Sequence, residues 1–348
     1  MADLINQPDY LQGLRALSAR FGSDPMHIQG AGGNSSFKDG DVMWVKASGT
    51  QMADALEKDI FIATDLPKMR AALANEDPTA DLPACFVLGQ GLGLRPSIET
   101  SLHAVFDQKV VLHSHCIHTL SYAVQKNAEE KIGNRLDGLN WCFVDYAKPG
   151  AALARSVRAA LRKDTNIVVL GNHGLIVAGE TAEEVAKLQV QVHSSLANPI
   201  LDTKHADLQH LQDIAKDSDF ELPEDQLLHQ LALDPRRVAQ VAEGSLYPDH
   251  VIFCGMAVPV LGREDCLASA LFRDDQTRPL SPLWCLVPGR GVLVRKTLKT
   301  STRIMMRCLA DVMAHVPFDA RLNYLSEAQN HELLEWDAEK YRQSLNRD

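Results

Sequence analysis

Apolar and polar positions along the chain fall into alternating helical and extended runs. Residues 8–21 repeat apolar side chains at helical spacing and predict an amphipathic helix, followed by the Gly-rich turn Gly30-Ala31-Gly32-Gly33-Asn34. Met43-Trp44-Val45 and residues 59–63 read as short strands. Asp65 is suited to cap the next helix, with Pro67 in its first turn. Pro96-Ser97 precedes a helix expected from Ile98 to about Phe106, with Ser97 as its N-cap. Residues 109–112 predict a strand rich in β-branched side chains, with a helix beginning just after His115. A helix is expected over 149–163, then strands over 166–170 and 175–178 around the turn Gly171-Asn172-His173-Gly174. Thr181 and Glu184 have the spacing of a capping box and open a helix to about Leu196.

From about 203 to 245 the pattern turns polar and loses its period, and the domain boundary is placed there: residues 1–203 form one domain and 204–348 a smaller one. In the second part, strands are expected near 250–254, 258–261, 283–287 and 291–294, then helices over 299–315 and 326–345. The run Val287-Pro-Gly-Arg-Gly-Val-Leu-Val294 repeats the apolar and glycine pattern of Leu170-Gly-Asn-His-Gly-Leu-Ile-Val177, with Arg290 in the place of His173. Val251 to Gly255 likewise resembles the strand that ends in His113-Ser114-His115. Two readings stay open, a degenerate repeat that has lost its histidines and two unrelated hairpins sharing a Gly-turn design.

Composition narrows the function. The 348 residues are 45% hydrophobic and 23% charged, as in an ordinary globular protein. The net charge of −10 and the lack of a Lys/Arg run argue against nucleic acid or an anionic membrane as partner. The start of the chain lacks the features of a signal peptide, and no stretch approaches the roughly 18 apolar residues of a membrane span. The seven scattered cysteines form no CxxC pair, which fits reduced thiols in a cytoplasmic protein.

The chemistry concentrates in the first part. His113 and His115, two apart on an extended segment, project to one side and can reach one ion. His173, in a Gly-flanked turn between two strands, is a candidate third ligand, though alone it reads as structural. Glu99, near a helix start, suits the helix dipole and could equally face a metal and take a proton from carbon. His103 lies one turn on and could hydrogen-bond Glu99 or simply pack; His118 reads as a support behind the metal ligands or as plain packing. Gly33 to Ser36, Lys46 to Thr50, and Ser97 are candidate anion-binding segments.

Taken together, Gly33-Asn-Ser-Ser36, Ser48-Gly49, Pro96-Ser-Ile-Glu99 with His103, His113-Ser-His115 and Asn172-His-Gly174 resemble the class II aldolase/adducin family in order and spacing, over about residues 1–200. Trp44-Val-Lys-Ala-Ser-Gly49 and Pro96 to His103 are most similar to the aldolase half of bifunctional rhamnulose-phosphate aldolase/short-chain dehydrogenase proteins. Residues 245–345, with Asp249-His-Val-Ile252 and Glu335-Trp336, resemble the extension of that half. No GxGxxG follows a strand, so the dehydrogenase half is not expected within this sequence.

The resemblance implies a three-layer α/β/α domain with a smaller C-terminal α/β domain. It implies His113, His115 and His173 as ligands of Zn2+ or of Mn2+ or Co2+, and Glu99 as acid/base. Asn34, Ser48, Gly49 and Ser97 would hold a phosphate or similar anion. Lys46 stands where the family has threonine, which fits stronger phosphate binding or a different anion such as a carboxylate. The tyrosine that family aldolases borrow from a neighbouring subunit has candidates by residue type only, Tyr122 and Tyr146. The implied reaction is cleavage or formation of a ketose through a dihydroxyacetone-type enediolate, on a small sugar or sugar phosphate, in a homo-oligomer. Glu99 favours this over the epimerases, which carry Asp there. Alternatives are a metal-dependent dehydratase or decarboxylase of a sugar acid or sugar phosphate, a non-catalytic adducin-like interaction protein, and a structural zinc module. Cys116 adjoins the histidine pair, but no second cysteine is suitably spaced for such a module.

Overall fold

The computed structural model describes residues 11–89, 93–200, 203–256, 258–262, 267 and 282–335. The chain forms two compact units; among the described residues, 11–123 and 127–197 belong to the first, and 124–126 and 198–335 to the second. No helix among them is long and apolar enough to cross a membrane.

The first unit is built on a seven-stranded sheet. Its strands are β1 (Asn34–Asp39), β2 (Val42–Lys46), β3 (Phe61–Asp65), β4 (Val110–Ser114), β5 (Trp141–Val144), β6 (Ile167–Leu170) and β7 (Gly174–Gly179). They lie in the order β3-β2-β1-β4-β7-β6-β5, antiparallel except for the parallel pair β5 and β6. Both faces are covered, so β6 and β7 are apolar throughout and the alternation decides only which face each side chain joins. Val110 and Leu112 of β4, Ile167 and Val169 of β6, and Leu175 and Val177 of β7 pack in one cluster. With them lie helices α1 (Gln12–Gly22), α4 (Ile117–Ala123), α5 (Ala128–Gly133) and α7 (Ala182–Ser195). The intervening Val111, Val168, Leu170, Ile176 and Ala178 pack in a second cluster, with α2 (Leu66–Ala74), α3 (Thr100–Ala104) and α6 (Ala151–Ala160). The result is the α/β/α sandwich expected.

Local signals hold at the helix ends. Asp65 accepts from the Lys68 N–H with Pro67 in the first turn, and Thr181 and Glu184 form the reciprocal capping box of α7. Three departures have physical reasons. Asn34-Ser35-Ser36, expected in an anion-binding turn, begin strand β1: Ser35 and Ser36 are buried, so no apolar alternation advertises the strand. The helix expected from Ile98 starts at Thr100, because Pro96 is bridged to Ala47 and holds the chain extended. Ser97 therefore does not cap α3 from the N-cap position, which Glu99 occupies, although its Oγ accepts from the Glu99 N–H at 3.2 Å.

In the second unit, β8 (Phe220–Glu221), β9 (Trp284–Val287) and β10 (Gly291–Arg295) form an antiparallel sheet in the order β8-β10-β9. Leu211, Phe220, Cys285, Val287 and Leu293 form its core. The segment that lost its period carries helices at Leu208–Ala215, Gln230–Leu233 and Pro235–Glu243. His250–Cys254, expected as a strand, is a π-helical turn; a short apolar run fits either conformation and tertiary packing decides. The proposed echo of the His113 strand therefore fails there, while the Val287–Gly291 pair closes a hairpin as Leu170–Gly174 does. Of the strand expected at 258–261 only a bridge at Val260 forms. The tail is helical over Glu327–Leu334, and Trp336 with the remainder lies outside the described residues.

Candidate metal centre

Sheet register assembles the centre. β1 and β7 flank β4, so Asn34 lies opposite His113 on one side and Ile176 on the other. His113 shares the face of Val111, toward α3. His115 follows β4 by one residue, and His173 tops the turn between β6 and β7. That turn needs Asn172 at φ 54°, in the left-handed region that asparagine tolerates better than most residues.

The three imidazoles converge. Ring centroids are 5.1 Å apart for His113 and His115, 4.9 Å for His113 and His173, and 5.6 Å for His115 and His173. One ligating nitrogen of each lies within 4.8 Å of the others, and all three residues are buried. His113 Nδ1 is hydrogen-bonded to the Leu175 carbonyl at 3.1 Å, an arrangement that puts the proton on Nδ1 and turns Nε2 inward with its lone pair. Two glycines make the space. A Cβ on Gly174 would lie 2.5 Å from the Ser114 carbonyl and 3.2–3.3 Å from the rings of His113 and His115. One on Gly32 would lie 2.9 Å from the Gln29 carbonyl and 3.3 Å from His115 Nδ1. An all-imidazole set of this spacing fits a divalent transition metal and leaves room for a further ligand.

Glu99 joins the triad: its Oε2 is 3.4 Å from His113 Nε2 and its Oε1 3.4 Å from His173 Nε2. Burial pushes the carboxyl up, but His113, His173, Asn34 and His115 together outweigh it and hold the group at about 2. The carboxylate is enclosed with three imidazoles, and two of them face its oxygens.

Asn34 Nδ2 donates to Glu99 Oε2 at 2.8 Å and to Ser97 Oγ at 3.2 Å. Its Oδ1 is held by His103 Nε2, whose Nδ1 meets Ser36 Oγ at 2.7 Å. His103 therefore bonds Asn34 and Ser36, not Glu99. Burial and the Lys38 charge hold it down at about 3, so the ring is neutral, donating from Nε2 and accepting at Nδ1. The remaining anion-site candidates sit beside these groups. The Ser97 N–H donates to the Lys46 carbonyl at 2.9 Å, and the Ser48 N–H to the Arg95 carbonyl at 2.8 Å. Lys46, Ser48 and Ser97 are buried on this seam, with Lys46 Nζ donating to the Ala31 carbonyl at 3.2 Å. Gly49 follows in the left-handed region at φ 77°. Tyr122 is packed in the core with Arg135 over its ring, at 5.6 Å from the centroid.

Sequence reasoning missed a second convergence. His27, Cys116 and His193 also bring one ligating atom each within 4.8 Å of one another. No linear spacing announces three residues from two loops and a helix so far apart in the chain.

Comparison with known proteins gives a family match for the first unit. Residues 13–197 match the profile of the Class II Aldolase and Adducin N-terminal domain. The uncharacterized oxidoreductase YuxG of Bacillus subtilis (strain 168) is 29% identical over 178 residues, 47% of this chain and 25% of that protein. The chain thus spans about a quarter of the length of this curated relative. The N-terminal class II aldolase domain of a conserved protein from Thermoplasma acidophilum is 26% identical, with a TM-score of 0.48 over 56% of this chain and 95% of that one. An L-fuculose 1-phosphate aldolase from Glaciozyma antarctica PI12 is 13% identical, with a TM-score of 0.38 over 62% of this chain and 77% of that one.

Proposed function

Because the chain belongs to the class II aldolase and adducin family, as the match over residues 13–197 establishes, we propose that it is a divalent-metal-dependent aldolase that cleaves or forms a ketose, with His113, His115 and His173 as metal ligands and Glu99 as acid/base. The observation that carries this reading is the position of Glu99, whose two carboxylate oxygens lie 3.4 Å from nitrogens of two different triad histidines. A base so close to the candidate metal ligands can reach a carbon next to a carbonyl held there.

A bound divalent ion supplies Lewis acidity to the hydroxy-ketone oxygens of the substrate. The chain does the rest. Glu99, ionised, takes a proton from the carbon adjacent to the carbonyl, and the electron pair left behind forms the enediolate. In the synthetic direction that pair attacks the carbonyl carbon of an aldehyde, whose oxygen takes up a proton; cleavage is the reverse. Asn34 keeps one Glu99 oxygen fixed by donating to it, which directs the other oxygen to the substrate. Lys46, Ser48, Gly49 and Ser97 hold the phosphate or equivalent anion through N–H, O–H and ammonium donors, whereas the Asn34 amide, expected to share this task, is taken up by Glu99, Ser97 and His103. The catalytic work falls to residues 1–203, and 204–348 form an extension to it. The relative called an oxidoreductase, about four times the length matched here, is consistent with an aldolase unit joined elsewhere to a dehydrogenase.

The test is hydrogen exchange without an aldehyde. The protein, loaded with zinc, manganese or cobalt, is incubated in D2O with dihydroxyacetone or its phosphate, and NMR follows deuterium entering the hydroxymethyl carbon. Metal-dependent exchange is the expected result. Its absence with metal bound would overturn the aldolase reading in favour of a dehydratase or decarboxylase of a sugar acid.

A further inference from the structure

The cluster of His27, Cys116 and His193 lies in the first unit, apart from the triad and unused by the proposed reaction. Cys116 Sγ is 3.4 Å from His193 Nδ1. The His193 ring is flanked by His27, at 4.4 Å between centroids, and by His118, stacked at 4.2 Å and 22°. His118 is fixed there by a 3.0 Å hydrogen bond from Nδ1 to the His193 carbonyl. Asp24, exposed on its outer side, brings Oδ2 to 3.9 Å from His27 Nε2.

We propose that His27, Cys116 and His193 form a second metal site, selective for a thiophilic ion such as zinc, whose fourth position is taken by water or by the Asp24 carboxylate beside His27. Bond lengths of roughly 2.0–2.3 Å to nitrogen, oxygen and sulfur put neighbouring ligands of a tetrahedral zinc roughly 3.3–3.7 Å apart. The Cys116–His193 separation already has that length, and the His27 donor atom, within 4.8 Å of the other two, needs to close by about an ångström; Asp24 lies outside that group. His27 is also held as a ligating imidazole is held. Its Nδ1 is 2.9 Å from the side-chain amide of Gln189, which leaves Nε2 toward Asp24. Ligation at Nε2 puts the proton on Nδ1 and turns the Gln189 oxygen toward it; that oxygen, Oε1, otherwise stands buried with no donor.

The two sites differ by a sulfur. Three neutral imidazoles accept manganese, cobalt or zinc, whereas a thiolate with two imidazoles prefers zinc or cobalt. Binding releases the Cys116 proton to solvent. The ion would join the loop after α1, the start of α4 and the end of α7, and Cys116 directly follows His115. The second site is thus a structural clamp on the segment that carries a triad histidine.

Cobalt(II) titration of the full chain tests this. The expected result is two bound equivalents and a sulfur-to-cobalt charge-transfer band in the near ultraviolet. The band should persist in His173→Ala, which keeps one equivalent, and vanish in Cys116→Ala and in His193→Asn, each also keeping one. Cys116→Ala probes a buried position and His193→Asn a partly exposed one, so a folding defect in the first does not remove the test. Zinc should also raise the Tm of His173→Ala but not of the double variant His173→Ala/Cys116→Ala. No sulfur band in the wild type at saturating cobalt, or a band that survives Cys116→Ala, overturns the proposal. Neither result depends on the aldolase reading, which is judged by carbon–hydrogen exchange.

Discussion

Asn34 donates its side-chain N–H to Glu99 across 2.8 Å, and it can do so in only one orientation, because His103 holds the carbonyl end of the same amide. Ser36, His103, Asn34 and Glu99 form a chain of buried hydrogen bonds in which each group's proton is assigned by the next. A neutral imidazole is required in the middle, and burial enforces it.

His103→Phe should therefore leave metal content unchanged while slowing proton transfer. Loss of one oriented hydrogen bond, about 1.4 kcal/mol, corresponds to about a tenfold lower rate. Metal analysis and deuterium exchange on the same sample check this; lost metal with the rate per bound ion unchanged would contradict a role through Asn34.

Gly174→Ala should abolish metal binding at the triad. The added methyl meets the Ser114 backbone at 2.5 Å before it meets the imidazoles, so β4 and β7 must part. Overpacking of this kind costs about 1–3 kcal/mol. Metal stoichiometry and urea unfolding give both readouts, and a variant with full metal content would show that the strands adjust.

The second unit should lose stability on acidification through His250. The ring is fully buried, and burial holds its pKa at about 4, below the ordinary 6.5. Its Nδ1 accepts from the Leu246 N–H at 3.2 Å, which a proton there would forbid. Below about 6.5 the unfolded chain binds a proton that the folded chain refuses, so stability falls as pH drops from about 6.5 toward 4. The full cost is of order 3 kcal/mol. Urea unfolding at pH 7 and pH 4.5 should show a smaller loss in His250→Gln than in the wild type; equal losses would refute the assignment.

Much of this site is legible in the linear sequence because its ligands are bound to local geometry. His113 and His115 share a side by strand alternation, and His173 is marked by the glycines that its turn and its neighbours require. The Asp65 and Thr181 caps are equally local. What escaped depends on tertiary contact. Strand β1 is invisible to hydrophobic periodicity because its inner positions are Asn34, Ser35 and Ser36, buried by hydrogen bonding. His250–Cys254 is apolar enough for a strand and becomes helical. His103 faces Asn34 rather than Glu99, a partner 69 residues away in the sequence. The approach of His27 to Cys116 and His193 follows from how α1, α4 and α7 pack on one face of the sheet.

The division of labour between the triad and Glu99 is the central claim, and one comparison tests it most directly. Wild type, Glu99→Gln and His173→Ala are loaded with zinc, analysed for bound metal, and assayed for deuterium entry into dihydroxyacetone or its phosphate. The account predicts that Glu99→Gln keeps its triad metal and loses about 10²- to 10⁴-fold in exchange rate, and that His173→Ala loses both. Exchange in Glu99→Gln at the wild-type rate, with metal in place, would contradict it.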